Sequence, residues 1–234
     1  MKISEFTTMQ RLWFFVGIVV PFVWAQEKGR ILSKPIESLC LNTKRHLYLN
    51  GTGYYYSWKG NVEKMDWLGS RNFCRKRCME TVSFESEREW SEVMENIIHS
   101  AKHTEFISWI WTSGKLCDFD GCEKSFYVKP ININGWFWSG TNTRMSSTTC
   151  LPHMNEKCFH RWSNTGMYGF AQPDNREYRE FGIKGGNESC LSLLVRSKIT
   201  GRKIVYAFWH DRACYHKSPF ICEDSKSLFN RISH

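Results

Sequence analysis

The sequence predicts an α+β fold with two helices, small antiparallel sheets and a long disulfide-stapled loop region. Two segments have apolar residues at helical spacing, and several short runs are apolar or aromatic, as strands are. Four cysteines lie in an irregular stretch from 115 to 187, and such a stretch is normally functional, disordered or stapled. The hydrophobic share of 41% and the aromatic share of 15% exclude a disordered, collagen-like or coiled-coil chain.

The first strand and both helices are predicted in the first half of the chain. An aromatic run from Tyr54 to Trp58 is typical of a strand. Asp66 is the expected N-cap of the first helix, whose apolar or small residues recur at helical spacing: Trp67, Ser70, Phe73 and Cys74. Ser86 and Glu89 form a capping box for the second helix, which continues with one apolar face: Trp90, Val93, Met94, Ile97 and Ile98.

After the second helix the periodicity changes to that of strands. The run Phe106–Trp111 predicts a buried strand that stops at Thr112–Gly114. Two strands, Cys190–Val195 and Ile204–Trp209, are joined by a basic turn, and Phe220–Cys222 predicts a final strand that returns the chain end to the sheet. No internal repeat or linker divides the chain, so one domain is expected.

The N-terminal pattern predicts export from the cell. Lys2 and Arg11 precede an apolar run over residues 12–24, which ends in Ala25, as in a secretory signal cleaved before Gln26. A membrane anchor is the alternative, but so short a run, interrupted by proline, does not comfortably span a bilayer core of about 30 Å. The 10 cysteines agree with an oxidising, extracellular compartment. The expected organisation is a signal peptide (1–25), a polar extension (26–52), a domain (53–224) and a tail (225–234).

A series of motifs runs through most of the predicted mature chain. They are Trp67–Cys74, Val82–Ser83, Ile110–Gly114, Gly135–Trp138, Gln172–Asp174, Glu188–Cys190, Trp209–Asp211, Cys214 and Phe220–Cys222. In this order they resemble the C-type lectin domain family, from about Tyr54 to Glu223. The chain is most similar to the secreted single-domain C-type lectins of insects. The resemblance implies a C-type lectin-like fold and a binding module that is not an enzyme.

The resemblance also implies two disulfides, Cys74 with Cys222 and Cys190 with Cys214. Six cysteines remain, and six allow 15 pairings. The pairs Cys117–Cys122 and Cys150–Cys158 are local and easily closed, which leaves Cys40–Cys78. Cys78 takes the place where the family commonly has a glycine, so the end of the first helix is expected to differ.

The motif with functional chemistry consists of Gln172, Pro173 and Asp174 together with Glu188, His210 and Asp211. In the family these positions bind Ca²⁺, whose remaining coordination sites take two neighbouring sugar hydroxyls, and the proline is cis. Ca²⁺ takes six to eight hard oxygen ligands. The resemblance therefore implies metal ligands at Gln172, Asp174, Glu188 and Asp211, and sugar contacts at the same residues and His210.

His210 departs from the family pattern, which has asparagine at this position. Imidazole nitrogen is a poor ligand for a hard cation, so two hypotheses stay open. One is a calcium site that has lost an oxygen ligand. The other is a lectin-like scaffold that binds no metal, with Gln172 and Asp174 capping a turn. The Gln-Pro-Asp order resembles the galactose-selective form of the motif, and Tyr178 or Phe181 would then offer an aromatic face to the sugar.

Other motifs carry weaker signals about ligands and modification. Cys150 and Cys158 lie near histidines as in a zinc site, but in an exported chain a disulfide is favoured. Asn50 and Asn187 begin glycosylation sequons. The net charge is +9, and basic residues cluster in two places: Arg75, Lys76 and Arg77, and Arg196, Lys198, Arg202 and Lys203. An anionic glycan or acidic matrix partner is compatible with these clusters, as is a solvated surface.

Two functional hypotheses follow from the sequence. The first is a secreted lectin that binds galactose-type or acidic glycans with the help of Ca²⁺, in immune recognition or at a cell surface. The second is a metal-independent interaction protein of the extracellular or cuticular matrix that uses the lectin scaffold as a frame. Neither needs a membrane anchor, and no residue pattern points to catalysis or to nucleic-acid binding.

Overall fold

The structure is a computed structural model that describes residues 31–100, 106–151, 157–166, 168–198 and 203–232. The expected signal peptide lies outside the described residues, as does the basic turn over residues 199–202. None of the helices in the described part of the chain has the length and apolar character that crossing a membrane requires.

Six α-helices and nine strands make up the described chain. The helices are α1 (Glu37–Asn42), α2 (Trp67–Arg75), α3 (Glu87–Ser100), α4 (Ile131–Asn134), α5 (Arg176–Arg179) and α6 (Lys226–Phe229), with short 3₁₀ turns at Cys122–Lys124 and Phe126–Val128. The strands are β1 (Leu47–Leu49), β2 (Thr52–Tyr56), β3 (Met79–Thr81), β4 (Phe106–Leu116), β5 (Trp136–Trp138), β6 (Thr143–Arg144), β7 (Cys190–Lys198), β8 (Lys203–Arg212) and β9 (Ile221–Asp224). The α+β class is confirmed.

The strands form two antiparallel sheets, which agrees with the expected small sheets. One has the order β1-β2-β9-β3, and the other has the order β6-β5-β4-β7-β8. A bridge between Trp111 and Phe220 joins them. The main core lies under α3, where Trp209 contacts the rings of Trp90, Trp138 and Trp162 edge-on at centroid distances of 5.3–6.1 Å. Such edge-to-face pairs add to the stability that burial already supplies.

Helix α2 begins where the sequence predicts. The Asp66 carboxylate accepts a hydrogen bond from the Gly69 backbone N–H, as an N-cap does. Trp67 and Cys74 are buried, and the disulfide Cys74–Cys222 ties the helix to β9. The helix ends before Cys78, whose φ of 58° is in the left-handed region that glycine adopts most easily. The Cys40–Cys78 disulfide holds α1 to this turn.

Helix α3 has the predicted apolar face but only half of the predicted capping box. Its residues Trp90, Val93, Met94 and Ile97 are buried. The Ser86 hydroxyl accepts from the Glu89 backbone N–H at 3.3 Å. A capping box would also have the Glu89 carboxylate accept from the Ser86 backbone N–H. Here the Glu89 carboxylate accepts from the Glu85 backbone N–H and from the Tyr54 hydroxyl on β2, which lies 2.7 Å away.

Strand β4 continues past the predicted stop at Thr112–Gly114, so that boundary is wrong. Its pairing with β7 shifts register between Trp111 and Lys115 and then resumes, and this irregularity accommodates the small residues. A Cβ at Gly114 would lie 2.6 Å from the Leu191 Cβ, so glycine is required there for close packing and does not end the strand.

Two segments expected to be irregular contain regular structure. The segment before residue 53 contains α1 and β1, and β1 pairs with β2 through a two-residue turn at Asn50–Gly51. Both turn residues have positive φ (48° and 81°), which Asn-Gly provides. The stretch 115–187 contains β5, which extends the second sheet, and the disulfides Cys117–Cys122 and Cys150–Cys158.

Candidate functional site

The loop after the cis Gln172–Pro173 bond is attached directly to the end of β8. The Asp211 carboxylate accepts hydrogen bonds from the backbone N–H groups of Asp174 (3.0 Å) and Asn175 (2.7 Å). Asn175 has a φ of 50°, and α5 begins at the next residue. Two successive backbone N–H groups of the loop thus bond to one side chain, so Asp211 holds the loop in place.

Glu188 is anchored to the same loop from the other side. Its backbone N–H donates to the Asn175 side-chain oxygen at 2.8 Å, and its carboxylate accepts from the Glu177 backbone N–H at 3.4 Å. These bonds bring three carboxylates together: one oxygen each from Asp174, Glu188 and Asp211 lie within 4.8 Å of one another. We call these three residues the carboxylate cluster.

The carboxylate cluster is electrostatically unfavourable as a set of anions. Burial, followed by repulsion from Asp211 and Asp174, raises the pKa of Glu188 to about 8. Burial raises the pKa of Asp211 to about 7, with hydrogen bonds to the loop backbone acting in the opposite direction. Burial also raises the pKa of Asp174. A cation close to the carboxylate cluster would therefore favour its charged state.

A cleft of about 200 Å³ opens over the carboxylate cluster. It is lined by acids, bases and aromatic rings: Trp109, Tyr168, Gln172, Asp174, Arg176, Glu177, Phe181, Glu188, His210, Asp211, Arg212 and His216. Five residues expected at the site, Gln172, Asp174, Glu188, His210 and Asp211, thus lie together. Tyr178 lies on α5, is 57% exposed and does not line this cleft, whereas Phe181 does.

His210 lies at the cleft but does not belong to the carboxylate cluster. Its side chain is 2% exposed and packs edge-on against Trp109, with ring centroids 5.1 Å apart. Its Nε2 atom lies 3.0 Å from the Tyr206 hydroxyl. Burial, followed by repulsion from Arg196, lowers the pKa of His210 to about 4. His210 is therefore a neutral ring near pH 7.

Sequence reasoning missed the two arginines of the cleft. The Arg176 guanidinium lies 4.3 Å from the ring centroid of Tyr168 and pairs with Glu180 at 2.6 Å. The Arg212 guanidinium lies 5.0 Å from the Trp109 ring centroid and donates to Ser218. Arg176 directly follows the Gln-Pro-Asp-Asn run, and Arg212 directly follows Asp211, so adjacency to the motif was the available signal.

The other sequence motifs occupy separate places. Both sequon asparagines, Asn50 and Asn187, are exposed. Arg75 pairs with Glu80, and Arg77 stacks on the Phe73 ring at 3.5 Å, so both arginines contribute to packing. Cys150 and Cys158 are joined as a disulfide beside His160, and disulfide sulfur is not the thiolate that binds zinc.

Among known proteins, no family model and no curated protein matches this chain, whereas solved structures do. The mouse scavenger receptor C-type lectin carbohydrate-recognition domain has 17% identity and a TM-score of 0.44, covering 76% of this chain and 94% of that chain. The C-type lectin domain of murine dendritic cell inhibitory receptor 2, in complex with N-glycan, has 15% identity and a TM-score of 0.45, covering 79% and 98%. Human lithostathine has 16% identity and a TM-score of 0.43, covering 86% and 100%.

The particular similarity to insect lectins stays a prediction.

The disulfides and the sheets of this chain identify its fold. The disulfides Cys74–Cys222 and Cys190–Cys214, which the resemblance implied, are both present. They join α2 to the last strand and β7 to the segment after β8, around two small antiparallel sheets and a long stapled loop region. The chain therefore has a C-type lectin-like fold.

Proposed function

We propose that this chain is an extracellular glycan-binding protein whose cleft holds Ca²⁺ through Gln172, Asp174, Glu188 and Asp211. The observation that carries the proposal is the carboxylate cluster, whose oxygens lie within 4.8 Å of one another at the edge of a cleft. A hard dication that prefers oxygen ligands fits this donor set.

The cluster's electrostatics support a cation at this point. Burial and mutual repulsion disfavour the charged carboxylates, and a bound dication would reverse that balance. The Gln172 side chain, which hydrogen-bonds Asp174, would add a neutral oxygen. When bound, Ca²⁺ would supply coordination sites for two neighbouring hydroxyls of a sugar.

The residues of the cleft would then bind the sugar itself. Carboxylates of the cluster would accept hydrogen bonds from the sugar hydroxyls, and the Gln172 amide N–H would donate to the hydroxyl oxygens. The rings of Tyr168 and Phe181 line the cleft and offer an apolar surface to a sugar such as galactose. The ligand is a glycan or glycoprotein, and the protein acts as a secreted binding module, not an enzyme.

A second candidate is the metal-independent matrix interaction protein. One observation favours it: Arg176 and Arg212 line the same cleft. Burial lowers the pKa of Arg212 to about 10, and the nearby carboxylates of Glu177 and Glu188 act in the opposite direction. Internal cations of this kind can balance buried acids without a metal. The two candidates differ in whether Ca²⁺ changes the stability of the native protein.

Thermal unfolding with Ca²⁺ and with a chelator separates them. A ligand at one hundred times its Kd stabilises the native state by about 2.7 kcal/mol, which in a chain of this size raises Tm by roughly 5–10 °C. The Asp211→Asn variant should lose this increase, while Glu63→Gln, which removes one exposed carboxylate, should keep it. Retention on galactose beads that a chelator abolishes would support the lectin. An unchanged Tm in Ca²⁺ would favour the matrix protein.

A further inference from the structure

A chain of hydrogen-bonded side chains leads from the loop beside Gln172 to His210. The Ser163 hydroxyl lies 2.6 Å from the Tyr206 hydroxyl, which lies 3.0 Å from His210 Nε2. Ser163 is 1% exposed, and its carbonyl accepts from the Gln172 backbone N–H. Tyr206 and His210 are four residues apart on β8 and therefore project from the same face of the strand.

The hydrogen bonds around Ser163 indicate which group donates at each step of this series of side chains. The Ser163 hydroxyl oxygen accepts from the backbone N–H groups of Gly166 (2.9 Å) and Thr165 (3.4 Å). A hydroxyl has two acceptor lone pairs and one proton. Because both lone pairs of Ser163 accept from backbone N–H groups, its proton is available for donation to the Tyr206 oxygen. Tyr206 in turn has its own proton available for His210 Nε2. A neutral imidazole that accepts at Nε2 carries its hydrogen on Nδ1.

The covalent structure of histidine gives this tautomer a consequence at the cleft. The Nδ1 atom is bonded to Cγ, as is the side-chain nitrogen of asparagine, whereas Nε2 lies one bond further out. An Nδ1–H group is therefore a donor at the distance from the backbone where an asparagine amide would have one. The same hydrogen leaves Nδ1 without a lone pair for a metal. His210 lies outside the carboxylate cluster, which agrees with that assignment.

We propose that Ser163 and Tyr206 are positioning residues that hold His210 as its Nδ1–H tautomer, so that His210 donates a hydrogen bond to a ligand hydroxyl and does not bind the metal. The donor role rests on the proposed function of the cleft. The tautomer does not depend on that function, because every hydrogen bond that determines it joins two groups of the protein itself.

Nitrogen-15 NMR of the full chain tests the tautomer without any ligand. Long-range proton–nitrogen spectra distinguish a protonated ring nitrogen from a bare one. In the unmodified protein, we expect a protonated Nδ1 and a bare Nε2 for His210. Tyr206→Phe should shift the ring towards the Nε2–H form, and Tyr178→Phe, at an exposed tyrosine outside the cleft, should leave it unchanged. A bare Nδ1 in the unmodified protein would overturn the proposal.

Binding measurements on the same variants test the donor role. Tyr206→Phe should weaken retention of a galactose-bearing glycoprotein roughly tenfold, the effect of losing one well-placed hydrogen bond, while the rise in Tm with Ca²⁺ stays unchanged. Loss of the Ca²⁺ effect in Tyr206→Phe would show that His210 acts at the metal and would contradict the inference. If the unmodified protein retains no sugar at all, the proposed function and the donor role both fail, and the NMR result still decides the tautomer.

Discussion

Replacement of Glu188 by Gln is the most direct perturbation of the carboxylate cluster. The change keeps the size of the side chain and replaces an ionisable carboxyl by a neutral amide at a residue that is 8% exposed and lies beside Asp174 and Asp211. Without metal, the substitution should stabilise the protein at neutral pH, because burial, followed by repulsion from Asp211 and Asp174, disfavours ionisation of Glu188 in the folded state. With Ca²⁺, it should remove a ligand, so the gain in stability from the metal should largely disappear.

The size of the effect follows from the pKa of Glu188, which burial and its neighbours raise from 4.5 to about 8. Between these values the folded protein keeps a proton that the unfolded chain loses, so stability without metal decreases as the pH rises. Each pH unit corresponds to about 1.4 kcal/mol, so at pH 7 the penalty is about 3 kcal/mol. Glu188→Gln should match the unmodified protein near pH 4.5 and exceed it by about that amount at pH 7.

Denaturant unfolding in a chelator and in Ca²⁺, at several pH values between 4.5 and 8, measures both effects. Glu63→Gln is the matched control, since it makes the same substitution at an exposed position outside the cleft. Two results would contradict these expectations. One is that Glu188→Gln is no more stable than the unmodified protein in chelator at pH 7, or that the control is stabilised equally. The other is that Ca²⁺ stabilises Glu188→Gln as strongly as the unmodified protein.

Three further predictions concern the fold and the ligand. Replacing Cys74 and Cys222 by serine opens a loop of 148 residues and should cost about 5 kcal/mol, against about 2 kcal/mol for the five-residue separation of Cys117–Cys122, as denaturant unfolding can measure. Burial raises the pKa of Glu223 well above 4.5, so stability should fall as the pH rises above 4.5, and Glu223→Gln should flatten that slope in the same experiment. His210→Asn should raise calcium affinity in calorimetric titration by adding an oxygen ligand, and should strengthen chelator-sensitive retention on galactose beads.

Each of these predictions has an outcome that contradicts it. Equal losses from the two disulfide variants would show that loop length does not set the effect of Cys74–Cys222. A pH slope that Glu223→Gln leaves unchanged would assign the slope to other groups. A His210→Asn variant with unchanged calcium affinity and thermal stability would mean that the ligand geometry is absent, and the matrix protein would be the better interpretation.

Sequence patterns predicted the structure correctly where the interacting residues are close together in the sequence. Asp66 caps α2 because its partner, the Gly69 N–H, is three residues away, and the apolar face of α3 follows from helical periodicity alone. The Ser86–Glu89 capping box was only half right, since the Tyr54 hydroxyl lies 35 residues from Glu89 and competes for the carboxylate. The Asn-Gly dipeptide at residues 50 and 51 is a local hairpin signal, although residues 26–52 were expected to form a polar extension.

The fold class and the helices α2 and α3 follow from the sequence alone, and the resemblance identified five of the residues that line the cleft. How those residues interact depends on tertiary packing. It separates His210 from the carboxylates, because Tyr206 lies on the same face of β8 and Ser163 is held beside that strand by backbone bonds to Trp209 and Gln172. Tyr168 lines the cleft, whereas Tyr178, which was expected there, does not. The direction of a side chain depends on packing between segments that are distant in sequence, and no local pattern encodes that packing.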